Sequence, residues 1–475
     1  MKKVTLVSVL SLILAFTGCN KEQNPVLTIE GGQIKGVETA TPGVMIYKGI
    51  PYSAPPVGDL RWREPQPVIP WEGVKICDTF GAAGPQKLTD PGSFYYKEFY
   101  SQSPHVKNED CLYLNVWTPE AGNTEANLPV AMWIHGGAYR NGFGHENEFD
   151  GTAWAEHGVI LVTINYRLGI LGFLAHPELT AESPNASSGN YGILDQVAAL
   201  KWIKANIAQF GGNPDQITIF GQSAGAGSVQ TLVASPLTKG LIQGAIIQSG
   251  GGIGSRPGTT LQDAEMTGES IMRFYNCNSI DEMRAVDAEE FGDFENRTEA
   301  FMKVENRMAY LSPNIDGYLL KESFSEAAIN GNLADIPYII GGTIVDMRGM
   351  SKPIEDFCLI REEQGGKAYA YQFARPLPGD DAGAFHSSEL WFVFHTLDRC
   401  WRPLTTGDEY LSQYMVDCWT NFSKFGNPNG QGEEKWKPYT TNNPDFMLFT
   451  TDEISNTSFM GKPLSPDNEE IALNY

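Results

Sequence analysis

Gln216-Ile217-Thr218-Ile219-Phe220-Gly221-Gln222-Ser223-Ala224-Gly225 is the stretch that decides the fold. Its first five residues are mostly apolar and β-branched, the composition of a strand buried on both faces. The run ends on Gly-x-Ser-x-Gly, and small, helix-compatible residues follow. A strand, a tight turn and a helix are therefore expected in that order. Glycines flank Ser223 because a strained, crowded turn leaves no room for a Cβ. Such a turn lifts the serine hydroxyl clear of the strand ends. The helix start behind it offers unpaired N–H groups and a positive dipole end to an oxyanion. Gly-x-Ser-x-Gly also arises by chance, and the flanking strand and helix are what give it meaning.

Outward from this turn, strand and helix patterns alternate. Leu112 to Trp117, Pro129 to Ile134, Val159 to Asn165, Leu241 to Gln248, Ile336 to Ile340 and Ala368 to Phe373 read as strands. Ile193, Val197, Leu200, Ile203 and Ile207 fall at helical spacing. Asp408 to Phe425 is amphipathic, and the charged stretch Asp263 to Glu305 reads as helical cap. Val26 to Gly36 reads as a hairpin turning at Gly31-Gly32, and Gly49 to Gly73 as surface-draped chain. The expected class is α/β, with a mostly parallel central sheet covered by helices on both faces.

The 475 residues are 41% hydrophobic and carry a net charge of −23. That content suits a sizeable core. The charge argues against a nucleic-acid partner, since phosphate binding needs clustered Lys and Arg. Met1-Lys2-Lys3 and the apolar run Val4 to Phe16 read as a secretory signal, too short to span a membrane. The stretch closes on Thr17-Gly18-Cys19, the pattern of a lipidated amino terminus; ordinary cleavage is the alternative. Residues 1–18 are then the signal peptide, 19–25 a tether and 26–475 the folded domain. The chain is expected to be exported, with a lipid on Cys19 as its only tie to a bacterial membrane. The remaining cysteines are too widely spaced for a small disulfide scaffold, and no Cys or His pair has zinc-ligand spacing.

An activated serine needs a histidine, and in this architecture the chain order is serine, acid, histidine. Only His386 and His395 follow Ser223. His386 sits in Gly379-Asp380-Asp381-Ala382-Gly383-Ala384-Phe385-His386, a flexible loop beyond a strand. His395 lies among aromatics in a helical stretch and reads as a packed residue. The acid should stand at a strand end between serine and base. Ile339-Ile340-Gly341-Gly342-Thr343-Ile344-Val345-Asp346 fits, and Asp316, before Gly317, reads as a turn residue. Oxyanion donors are expected from the amides of Gly136 and Gly137, in the His135-Gly136-Gly137 turn after a buried strand, and of Ala224.

With these residues in view, the chain resembles the type-B carboxylesterase family of α/β-hydrolases, which includes the cholinesterases. Phe210-Gly211-Gly212 through Gly225 matches one family signature, and Glu109-Asp110-Cys111-Leu112-Tyr113-Leu114-Asn115-Val116 the other. Gly49-Ile50-Pro51-Tyr52, Asn190-Tyr191-Gly192 and Gln248-Ser249-Gly250 are further landmarks. The resemblance implies hydrolysis of a small-molecule ester without a cofactor, with the triad on Ser223, Asp346 and His386. The chain departs from the pattern in four ways. Asp346-Met347 stands where glutamate and glycine are usual. The family's disulfide partner for Cys111 aligns with Gly84, leaving either a shifted Cys77–Cys111 bridge or a free Cys111. Gln222 replaces the glutamate of cholinesterases, and no Trp lies between Gln86 and Cys111, which disfavours a choline-ester specialist. The short interval from Asp346 to His386 implies a reduced helical cap and an open site. The same triad acting on a thioester, amide, carbamate or polysaccharide acyl group is one alternative, and a non-catalytic binding protein on this fold is another.

Overall fold

The computed structural model describes residues 24–451 and 459–464, apart from 88, 104, 256–257, 308–310, 348 and 433, with backbone only at 295, 347 and 459–464. The expected signal sequence and Cys19 lie outside the described residues.

The buried runs form the central strands. In chain order these are β1 (Val37–Glu38), β2 (Met45–Pro51), β3 (Tyr113–Thr118), β4 (Leu128–Ile134), β5 (Ile160–Ile164), β6 (Gly212–Gln222), β7 (Gly244–Gln248), β8 (Tyr338–Thr343), β9 (Ala368–Phe373), β10 (Phe446–Thr451) and β11 (Phe459–Leu464). They make one 11-stranded sheet in the order β11-β10-β9-β8-β7-β6-β4-β5-β3-β2-β1. From β10 to β5 every neighbouring pair is parallel. Antiparallel strands finish both ends. The expected hairpin is present, with Ile29 opposite Gly32.

Period-2 alternation divides the central strands between two cores. Val130, Met132 and Ile134 of β4 point into one, and Ala131 and Trp133 into the other. The first core takes the helices Tyr191–Asn206 and Ala224–Ala234; the second takes Leu390–Val393 and Thr406–Phe425. Helix Tyr191–Asn206 differs from its one-faced expectation, because Leu194, Asp195, Gln196 and Trp202 are buried too. Its polar members are paired inside: Asp195 with Arg167, and Gln196 Nε2 donating to Ser228 Oγ at 2.9 Å. The Gly49 to Gly73 stretch is likewise more deeply seated than expected. Trp62 is buried and donates its indole N–H to the Ile170 carbonyl at 2.9 Å.

The segment between Asp346 and His386 contributes one long helix, Ser351–Glu363, and β9. That helix packs on the sheet, with Phe357 edge-on to Tyr338 of β8 at 5.3 Å, and its first turn meets the chain leaving β7, where Ile253 N–H donates to the Pro353 carbonyl at 2.9 Å. The charged stretch expected to be helical does form the helices Leu261–Phe274 and Phe294–Val304, both partly exposed.

The Cys77–Cys111 bridge does not form: both are free, buried thiols, and the other described cysteines are free as well, Cys358 and Cys418 buried and Cys277 and Cys400 half-buried. Cys77 Sγ faces the Lys75 carbonyl at 3.9 Å. The chain beside the Cys111 sulfur is Gly84, where an added Cβ would lie 3.6 Å away. The geometry therefore keeps the family's pairing position, and glycine empties it.

Candidate active site

Strand register brings the predicted residues to one edge of the sheet. Ile134 pairs with Gly221, Gln222 with Gln248, and Gln248 with Gly341. The carboxyl ends of β4, β6, β7 and β8 are thus level, the place where open α/β sheets bind ligands. His135-Gly136-Gly137 leaves β4, Ser223 leaves β6, Ser249 leaves β7 and Asp346 follows β8.

Ser223 sits at φ 58°, ψ −118°, a strained conformation for a residue with a side chain. Two anchors hold it there: its N–H donates to the Gln248 carbonyl at 2.9 Å, and its carbonyl accepts from Gly227 N–H at 3.0 Å. The flanking glycines are sterically required. A Cβ on Gly221 would stand 2.6 Å from the Gly225 carbonyl group, and one on Gly225 would strike the Ile134 carbonyl oxygen. Ala224 opens the helix Ala224–Ala234, so its N–H has no intrahelical acceptor.

Gly136 lies close against the turn: a Cβ there would be 3.3 Å from Ser223 Cβ. Gly137 takes φ 92°, and its carbonyl accepts from Arg140 and Asn141 N–H at 3.0 and 3.1 Å, which curls the loop back on itself. His135 braces this loop from behind. It stacks on Tyr166 at 4.4 Å, and Tyr166 Oη donates to the His135 carbonyl at 3.0 Å. Burial lowers its pKa to about 4, so it is a neutral structural ring.

His386 and Asp346 meet directly, with His386 Nδ1 to Asp346 Oδ2 at 2.8 Å. Burial alone would raise the Asp346 carboxyl. The bond and charge of His386, with the Ser249 and Thr343 hydroxyls, outweigh it and hold the carboxyl below its usual value. An ionised Asp346 fixes the tautomer: Nδ1 carries the proton, and Nε2 is left as the acceptor. The Gln222 amide nitrogen lies 3.2 Å from that Nε2. His386 keeps 32% of its side-chain surface exposed and Asp346 12%, so the site opens directly to solvent.

Ser223, His386, Gly136 and Gly137 line one cavity of about 390 Å³. Its covering wall comes from Tyr95, Phe99 and Tyr100, in and beside a π-helical turn at Tyr96–Tyr100 that sequence reasoning did not find. No hydrophobic period marks that turn. Also unforeseen was Glu389, three residues past His386 at the start of helix Leu390–Val393 and fully buried. Burial, then the charge of Asp346, push its carboxyl up to about 7. The rejected candidates are elsewhere engaged. Asp316 Oδ1 accepts from the N–H groups of Tyr318, Leu319 and Leu320 at 2.8–3.0 Å, and His395 Nδ1 meets Ser412 Oγ at 2.8 Å. Among the described residues no cluster of His, Cys, Asp or Glu is arranged to hold a metal, and no helix is long and apolar enough to cross a membrane.

Comparison with known proteins gives the same picture. The profile of the carboxylesterase family matches residues 23–354 and 348–463. A fumonisin B1 esterase of Sphingopyxis macrogoltabida is 36% identical over 74% of this chain, a match spanning 63% of that enzyme's own length. The para-nitrobenzyl esterase of Bacillus subtilis is 33% identical over 87% of this chain and 92% of its own. Among solved structures, a thermophilic para-nitrobenzyl esterase superposes with a TM-score of 0.78 at 29% identity, covering 94% of this chain and 99% of that one. A carboxylesterase of Geobacillus stearothermophilus superposes at 0.76 and 30%, with the same coverage. Sequence, sheet order and relatives agree that the chain belongs to the carboxylesterase family of α/β-hydrolases.

Proposed function

We propose that Ser223, His386 and Asp346 are the nucleophile, base and acid of a serine carboxylic-ester hydrolase, with Gly136, Gly137 and Ala224 as oxyanion donors. The observation that carries this is the 2.8 Å contact of His386 Nδ1 with Asp346 Oδ2, in the cavity that also holds the strained Ser223. His386 Nε2 accepts the Ser223 Oγ proton as Oγ attacks the ester carbonyl. The negative charge on the carbonyl oxygen is held by the three backbone N–H groups. Collapse of the tetrahedral intermediate breaks the ester C–O bond, and the imidazolium protonates the departing alcohol. Water, deprotonated by the same Nε2, then cleaves the acyl-enzyme and releases the acid and free Ser223. Aspartate serves in place of the commoner glutamate because the Thr343 hydroxyl, donating to Oδ2 at 3.0 Å, holds a shorter carboxylate against Nδ1.

Hydrolysis of 4-nitrophenyl acetate tests the reading. Ser223→Ala should lower kcat by at least about 10⁴-fold. Turnover by that variant within 10-fold of the parent would reject it. The amino-terminal segment is proposed to export the chain, with lipid on Cys19. Incorporation of labelled palmitate that Cys19→Ala abolishes is the expected result; incorporation unaffected by the substitution would reject it.

A further inference from the structure

The cavity of Ser223 and His386 is also lined by two carboxylates that ester hydrolysis does not use, Glu146 and Glu148. Both lie on the chain that follows the Gly136-Gly137 turn. Glu146 Oε1 accepts from Phe143 N–H at 3.0 Å and from the Tyr100 hydroxyl at 3.3 Å. Glu148 is only 1% exposed; its carboxyl shares a hydrogen bond with that of Glu146, and no donor group meets its Oε2 among the described residues. An acceptor oxygen in that position is costly unless something donates to it.

Three other buried carboxylates face a cation: Asp195 is paired with Arg167, Asp408 with Arg375, and Glu98 with Arg402. Glu389, behind Asp346, is the one that does not among the described residues, and it does not line the cavity. Neither Glu146 nor Glu148 meets a lysine or arginine among the described residues. Burial pushes both carboxyls up, Glu146 to about 7 and Glu148 well above the usual value, the latter raised further by the charge of Glu146. Burial and mutual repulsion thus favour a proton shared by the pair, the position that a cation would take. Around it the same cavity presents Tyr95, Phe99, Tyr100 and Phe149. Aromatic faces attract an ammonium and shield its alkyl flanks.

We infer that Glu146 and Glu148, with the aromatic wall around them, form a subsite for a protonated amine carried by the ester substrate. A carboxylate pair lining the cavity offers hydrogen-bond acceptors as well as charge, so a primary or secondary ammonium, which donates N–H, fits it better than a quaternary one. This separates the subsite from choline recognition, consistent with the absence of a Trp between Gln86 and Cys111. Arg140 also reaches the cavity lining, which makes a carboxylate-bearing ester the natural counter-outcome.

The inference rests on the hydrolase reading above, and the test keeps the two apart. Two matched pairs place the amine on either side of the ester: 4-nitrophenyl 6-aminohexanoate against 4-nitrophenyl heptanoate, and 4-aminobutyl butanoate against pentyl butanoate. A 4-nitrophenyl adipate monoester supplies the anion. The wild-type enzyme should favour the ammonium ester in at least one pair by about 10-fold in kcat/KM. Glu148→Gln and Glu146→Gln should each lower that ratio several-fold. Because each ratio is internal to one variant, a general loss of activity cancels. Pentylammonium should also inhibit the wild-type enzyme more strongly than 1-pentanol, a readout that needs no variant. Preference for the neutral or anionic ester, or a ratio that neither substitution moves, overturns the subsite while leaving the hydrolase intact. Failure to hydrolyse any of these esters overturns the hydrolase reading, and the subsite with it.

Discussion

The two halves of the site are held by different forces. On the serine side, backbone packs against backbone. Gly221, Gly225 and Gly136 are in such close contact with neighbouring chain that no side chain fits, and Ser223 is pinned through its own N–H and carbonyl. On the acid–base side, side chains do the positioning. Asp346 reaches His386 from the short helix Ile344–Met347, steadied by the Thr343 hydroxyl, and His386 hangs on a loop with a third of its surface in water. The first half is steric and rigid; the second is electrostatic and adjustable. The second half is thus where the proposed shorter acid can be accommodated.

That contrast makes separable predictions. Asp346→Asn keeps the shape but removes the charge that fixes the tautomer, so kcat for an activated ester should fall by about 10³–10⁴-fold with thermal stability nearly unchanged. A loss under 10-fold would mean that the acid–base half does not depend on that charge. Gly225→Ala attacks the steric half. The new Cβ meets the Ile134 carbonyl oxygen inside a parallel sheet, and the expected cost is about 3 kcal/mol of folding stability, read by chemical denaturation, together with lost activity. A fully stable, active Gly225→Ala enzyme would contradict the packing account.

Gly84→Cys is the mildest change and lies outside both halves. Its Cβ would sit 3.6 Å from Cys111 Sγ with no close clash, so oxidation should form the bridge that this chain lacks. The gain should be about 2 kcal/mol in denaturation, reversed by dithiothreitol, with kcat unchanged. Absence of the bridge under oxidising conditions would show that the two segments are further apart in solution.

The same contrast explains what was legible in the amino-acid sequence. The serine half could be read because sterics write themselves as glycines at fixed spacing, and buried parallel strands as apolar runs. The proposed base rests on chain order and its loop setting, since no local motif separates His386 from any loop histidine. The acid needed a strand end and a rejected rival, and Asp316 shows its turn role only through three backbone donors. The wall of Tyr95, Phe99 and Tyr100 stayed hidden because a π-helical turn has no period to detect. Glu146, Glu148 and Glu389 look like ordinary solvated acids in the sequence. Only the burial of each carboxyl in the fold shows otherwise.

The measurement that bears most directly on the central claim is covalent labelling with a fluorophosphonate, followed by peptide mass mapping. The account predicts one stoichiometric adduct, on the peptide containing Ser223, and none after Ser223→Ala. It also predicts that labelling slows by orders of magnitude in His386→Ala. An adduct on a different residue, or labelling that persists in Ser223→Ala, would contradict the claim that Ser223 is the nucleophile.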